Sequence, residues 1–256
     1  MKSLINKIKK LKQLGVIGIK QSLEDEGSSF EDLYLIRNIT KKNNLKLNVK
    51  IGGCEAKNDI FYCSNLKSDS IVAPMVESEY ALSKFILAVP KKYKGDLFIN
   101  LETKTSFDNI SKILNSKHFK RLRGVVIGRS DLSGSYNLSK SEVDSKKIFK
   151  KIYQILLKIK KKNKIVKMGG SITPNSMKFL NELYKKKLIN NIETRNAELK
   201  LTKNILLQMD KIIPEIFEFE IMWLKQSNLN KKINYYKKKD NLKRINEIRL
   251  RLKKLD

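Results

Sequence analysis

The chain has 256 residues, 41% of them hydrophobic, and carries 55 Lys and Arg against 26 Asp and Glu, a formal charge of +29. That length and apolar content suffice for one large core of barrel size. No run of about twenty apolar residues exists, which excludes a transmembrane helix. The charged N-terminus lacks the apolar stretch of a secretory signal, so a cytoplasmic protein without membrane attachment is expected.

The positive charge is overwhelmingly lysine, in a chain also heavy in Asn and Ile. This mixture reads as the codon bias of an A/T-rich genome. A nucleic-acid binder would use more arginine forks, so nucleic acid is not an expected partner. The field would instead attract small anionic substrates. Cys54 and Cys63 lack the clustered partners of a zinc site and are expected as two free thiols.

In chain order, Met1–Gln13 is a basic amphipathic helix with Leu4, Ile5, Ile8 and Leu11 on one side. Val16–Lys20 is a strand, followed by the acidic loop Glu24-Asp25-Glu26-Gly27; Ser28 or Ser29 then caps a helix through Ile36. Leu47–Ile51 is a strand ending at Gly52-Gly53. Ser70–Ala73 is another, ending in Pro74-Met75-Val76-Glu77-Ser78 before a helix from about Glu79 to Val89. Leu97–Leu101 and Gly124–Gly128 are strands flanking a helix over Ser106–His118. Ser141–Lys160 is a helix opened by Ser141, with Asp144 three residues on. Ile165–Met168 is a strand ending at Gly169-Gly170, Pro174 opens a further helix, and Leu188–Ile192 is the seventh strand. Ala197–Asp256 reads as helical throughout.

Strand and helix alternate seven times, the pattern of a parallel α/β domain, and a TIM-type (β/α) barrel best fits the length. An eighth strand is either hidden or replaced by a terminal helix. The barrel is expected over residues 1–225, with a Lys-rich helical extension over 226–256.

Two strands carry an acid just past the C-terminal end: Glu102 after Leu97–Leu101, and Asp131 after Gly124–Gly128. Ligands bind at that edge in parallel α/β proteins. Two carboxylates there suit a hard cation such as Mg²⁺ that keeps positions open for substrate. Gly52-Gly53 and Gly169-Gly170 are turn formers or a backbone cradle for phosphate.

Three stretches, Val72-Ala73-Pro74-Met75-Val76-Glu77-Ser78, Ile99-Asn100-Leu101-Glu102-Thr103 and Ile127-Gly128-Arg129-Ser130-Asp131-Leu132-Ser133, resemble the metal-dependent pyruvate aldolase and citrate lyase β-subunit family in sequence, order and separation. The resemblance spans roughly Ile17 to Asn196. It implies a (β/α)₈ barrel and a carbon–carbon lyase acting on a 2-oxo acid, with Mg²⁺ or Mn²⁺ on Glu102 and Asp131. It also implies that Gly128, Arg129, Ser130 and the backbone of Asp131 bind the substrate carboxylate. Lys50 stands where the family has an arginine, and would offset enolate charge without a bidentate fork.

Some family members place a histidine after an early strand; here Lys20–Gly27 contains none, which leaves Glu24, Glu26 or a bound water as the base. The single histidine, His118, lies at a helix end away from the strand ends. Arg195 would meet a second carboxylate or phosphate of the substrate, or form a structural ion pair. The C-terminal tail reads as an arm that docks on a neighbouring subunit or as a helix for a membrane surface or acidic partner; the resemblance, whose members commonly assemble as oligomers through C-terminal helices, implies the arm and a homo-oligomer. Competing functions are a phosphoenolpyruvate-using barrel enzyme and a degenerate, non-catalytic barrel binding an anionic ligand or partner.

Overall fold

The computed structural model describes residues 2–23, 27–229 and 235–255. Its strands are β1 (Val16–Ser22), β2 (Lys46–Lys50), β3 (Ser70–Ala73), β4 (Asp96–Leu101), β5 (Gly124–Gly128), β6 (Ile165–Gly169), β7 (Asn191–Glu193) and β8 (Ala197–Lys200). They close in sequence order into a barrel. From β1 to β7 every neighbouring pair is parallel, whereas β8 is antiparallel to both β7 and β1.

The eighth strand is therefore present, and it replaces the start of the expected helical region. The reversal is local. Thr194 donates its N–H to the Ala197 carbonyl at 2.9 Å, and Ala197 donates its own to Thr194 Oγ1 at 3.2 Å. This turn needs no crossover helix.

Helix α1 (Lys2–Gln13) precedes β1, and α2 (Phe30–Lys42), α3 (Lys57–Asn65) and α4 (Glu79–Ala88) follow β1, β2 and β3. Ser29 opens α2 through a capping box in which Ser29 Oγ accepts from the Asp32 amide and Asp32 accepts from that of Ser29. After β4 the expected single helix is broken into α5 (Lys104–Asp108), α6 (Ile110–Asn115) and a 3₁₀ turn, with Asn109 as the joint. After β5 come α7 (Arg129–Ser135) and α8 (Lys146–Lys160). The N-cap of α8 is Ser145 rather than Ser141. Helix α9 (Met177–Lys185) follows β6; α10 (Lys203–Leu207), α11 (Met209–Leu229) and α12 (Tyr235–Leu252) follow β8.

The main core lies between the barrel and its helices and draws on all layers, from Leu4 and Ile8 of α1 to Ile245 and Ile248 of α12. Helix α1 buries its apolar side and pairs Lys7 and Lys10 with Glu215 of α11. Helix α11 runs unbroken through position 226, and α12 packs back on it, with Arg244 Nε donating to the fully buried Glu220 at 2.8 Å. The C-terminal arm thus lies against its own chain. No helix among the described residues is long and apolar enough to cross a membrane.

Inside the barrel, Val72, Phe98 and Val126 form a small apolar cluster with Ile165 packed against it. The remaining centre is a polar network. Glu198 accepts from Lys167, Asn48 and Asn191; Ser70 donates to Asn48; and the Lys167 ammonium sits 4.0 Å over the Phe98 ring. A buried charge is tolerable there because each lobe of the carboxylate is satisfied.

Candidate active site

The strand register brings four residues into one row at the C-terminal edge. Leu101 pairs with Ile127, Gly128 with Gly169, and Met168 with Ile192. The row one step further along reads Glu102, Gly128, Gly169, Glu193. The glycines matter for what they leave out. A Cβ on Gly128 would stand 2.4 Å from Glu102 Oε2 and 2.8 Å from its Cβ, and one on Gly169 would stand 3.2 Å from Glu193 Cγ. Two bare positions thus keep the floor between two carboxylates clear. Gly128→Ala is expected to displace the Glu102 side chain and cost about 1–3 kcal/mol of stability, read as a lower urea midpoint. An unchanged midpoint would contradict the close approach.

Glu102 is buried, at 2% exposure. Its Oε1 accepts the Met75 N–H at 3.1 Å and its Oε2 accepts from Asn100 Nδ2 at 2.9 Å. Met75 adopts a left-handed conformation, φ 50°, in the turn that delivers that N–H. Asp131 stands in the first turn of α7, exposed, on the wall of the same pocket. Burial pushes the Glu102 carboxyl above the usual range; Lys50 opposes that rise and Asp131 adds to it. Both groups are therefore within electrostatic reach of Glu102.

The pocket is a cavity of about 430 Å³. Of the residues singled out from the sequence, it gathers Glu102, Asp131, Lys50, Gly128, Ser130 and Arg195. Lys50 is only 8% exposed, at the end of β2. Glu24 and Glu26 lie outside the described residues. His118 sits in the 3₁₀ turn before β5, away from the pocket lining.

Arg129 stands apart from the other expected substrate ligands. It is fully buried and absent from the pocket lining. Its Nε donates to the Gly169 carbonyl, Nη2 to the carbonyls of Gly170 and Ser171 and to Ser176 Oγ, and Nη1 to Asp144. At the junction of β5 and α7 its side chain turns under the helix layer. There it clamps the 169–171 turn from behind. Gly170, at φ +80°, lies so close to the Arg129 and Ser130 amides that a Cβ would fall 2.6 and 2.5 Å from their nitrogens. The Gly169-Gly170 pair is thus a packing requirement of the turn.

Other residues of the pocket escape sequence reasoning. Lys20, near the end of β1, makes an ion pair with Glu193 Oε1 at the end of β7. Glu193 is 2% exposed, and its Oε2 has no hydrogen-bond partner among the described residues. Lys20 and Glu193 occupy strand ends like the residues recognised, but only barrel closure makes β1 and β7 face each other. Phe217 and Glu220 of α11 and Arg244 and Arg251 of α12 complete the wall.

An HpcH/HpaI aldolase from Desulfitobacterium hafniense superposes with a TM-score of 0.62 at 11% identity, covering 74% of this chain and 82% of its own. This chain shares that fold. An HpcH/HpaI aldolase/citrate lyase family protein from Burkholderia cenocepacia gives 0.61 at 10% identity, with the same coverage of 74% and 82%. The citrate synthase SbnG gives 0.59 at 13% identity, covering 70% of this chain and 78% of its own. No protein-family model matches the sequence, and no curated protein does.

Proposed function

We propose that this barrel is a carbon–carbon lyase of the aldolase type, acting on a 2-oxo acid with the help of Mg²⁺ or Mn²⁺. The observation that carries the proposal is the meeting of Glu102 and Asp131, from successive strand ends, in one pocket beside Lys50. The likeness to aldolase barrels supports it at the level of fold.

The residues fit a divalent ion. Among the described residues no group of three or more His, Cys, Asp or Glu could enclose a metal. Two carboxylates with the other positions left to water and substrate match the way Mg²⁺ is usually held in enzymes. When bound there, the ion supplies Lewis acidity toward the oxo and carboxylate oxygens of the substrate.

The chain's own residues supply the rest. Met75 and Asn100 fix both oxygens of Glu102, so the ligand carboxylate is oriented before any ion arrives. The Lys50 ammonium offsets negative charge developing on the oxo oxygen. Glu193, paired with Lys20 in the same pocket lining, takes or returns the proton on the carbon beside the oxo group. Exchange of the pyruvate methyl protons for deuterium, followed by NMR in the presence of Mg²⁺, tests this. Wild type is expected to exchange them, and Glu193→Gln to slow the exchange by about 10²-fold or more. Exchange at the wild-type rate in the variant would remove Glu193 from the role. No exchange by wild type would count against the oxo-acid chemistry itself.

A further inference from the structure

The pocket wall opposite to expectation is the one built by the C-terminal helices. Arg244 and Arg251 project from α12, and Arg195 from the turn between β7 and β8. Arg251 interacts electrostatically with both of the other arginines and with Glu220 and Glu247. Arg244 is committed to two carboxylates, 2.8 Å from Glu220 and 3.6 Å from Glu247. Arg251 has no hydrogen bond or ion pair among the described residues, though it is only partly exposed and lines the cavity. Partial burial beside Arg244 and Arg195 disfavours the charge on Arg251, which an anion in the cavity would offset.

We infer that Arg251, with Arg244 and Arg195, forms an anion site in this same pocket that takes a phosphate monoester of the substrate. The inference rests on the 2-oxo acid chemistry proposed above and extends it to the substrate's second charged group. Charge balance selects phosphate over a second carboxylate. Cationic side chains in the pocket lining outnumber carboxylates by one. A divalent ion on Glu102 and Asp131 raises that surplus to about three. A 2-oxo acid bearing a phosphate monoester carries close to three negative charges at neutral pH, about one more than a dicarboxylate. Guanidinium forks also match phosphate oxygens in geometry. Helix α12, folded onto its own barrel, thus becomes a specificity element of the site.

Calorimetric titration of the metal-free, full-length protein with inorganic phosphate tests the site apart from the chemistry. Arg251→Gln is the chosen variant, because loss of Arg244 would strand the buried Glu220. Phosphate is expected to bind wild type, and to bind Arg251→Gln at least tenfold more weakly. No binding to wild type, or equal binding to Arg251→Gln, would overturn the inference. Acetate bound as well as phosphate, with the same loss in Arg251→Gln, would overturn the choice of phosphate. Arg251-dependent phosphate binding in a protein that fails to exchange pyruvate protons would uphold this site while rejecting the aldolase chemistry.

Discussion

Glu102→Gln is expected to yield a folded protein that is more stable than wild type when metal-free, yet binds no Mn²⁺ and exchanges no pyruvate protons. The isosteric amide can be accommodated without loss. Glu102 Oε1 accepts from Met75 and Oε2 from Asn100, while Asn100 Oδ1 is buried with no hydrogen-bond partner among the described residues. Turning the Asn100 amide over lets its oxygen accept from the new Gln Nε2, and Gln Oε1 keeps the Met75 N–H.

The stability gain follows from the direction of the Glu102 shift. Its carboxyl is raised in the folded state, mainly by burial. Between the ordinary carboxylate range, about 4.3 for an unfolded glutamate, and that raised value, the folded chain holds more protons than the unfolded one. Stability of metal-free wild type therefore falls as pH rises through this window, and the deficit persists above it. Glu102→Gln lacks that fall. Urea denaturation at about pH 4 and about pH 7.5 is expected to give a wild-type deficit that opens at the higher pH. A variant less stable than wild type at both would contradict the account. A stability cost accepted for a charged ligand is common at functional sites.

Arg129→Ala is expected to be the most damaging single change, costing about 3–5 kcal/mol. The guanidinium is wholly buried and meets three backbone carbonyls, Ser176 Oγ and Asp144, and lies 5.1 Å from the Phe179 ring centre. Truncation would leave Asp144 without its cation and the 169–171 carbonyls without donors. Arg129→Lys keeps the charge but cannot divide it over a fork of five acceptors, so it is expected to recover only part of the loss. Equilibrium urea unfolding measures both variants. A loss below about 1 kcal/mol in Arg129→Ala would mean the clamp is not structural.

Much of this molecule was legible from local pattern. Each strand from β2 to β6 is a short, mostly apolar run closed by Gly, Pro or an acid, so period and punctuation agree. That Glu102 and Asp131 meet at one pocket was legible for the same reason, since strand ends in a parallel barrel share one edge. Strand β8 was not. Its sequence Ala-Glu-Leu-Lys places the charged Glu198 where a core residue is expected, and the partners that neutralise it come from β2, β6 and β7. The burial of Arg129 was not legible, because its neighbours Gly128, Ser130 and Asp131 line the pocket while its own side chain turns under the helix layer at the junction of β5 and α7. Arg244 and Arg251 gave no local signal at all. They lie in a Lys-rich helix whose return onto the barrel depends on long-range packing of Ile245 and Ile248.

The most direct test is calorimetric binding of Mn²⁺, with and without pyruvate, to wild type, Glu102→Gln and Asp131→Asn. The two carboxylates acting as one metal site predict binding by wild type that pyruvate strengthens, and its loss in both variants. Wild type that binds no Mn²⁺ even with pyruvate, or variants that bind it as well as wild type, would contradict a metal-dependent site at the ends of β4 and β5.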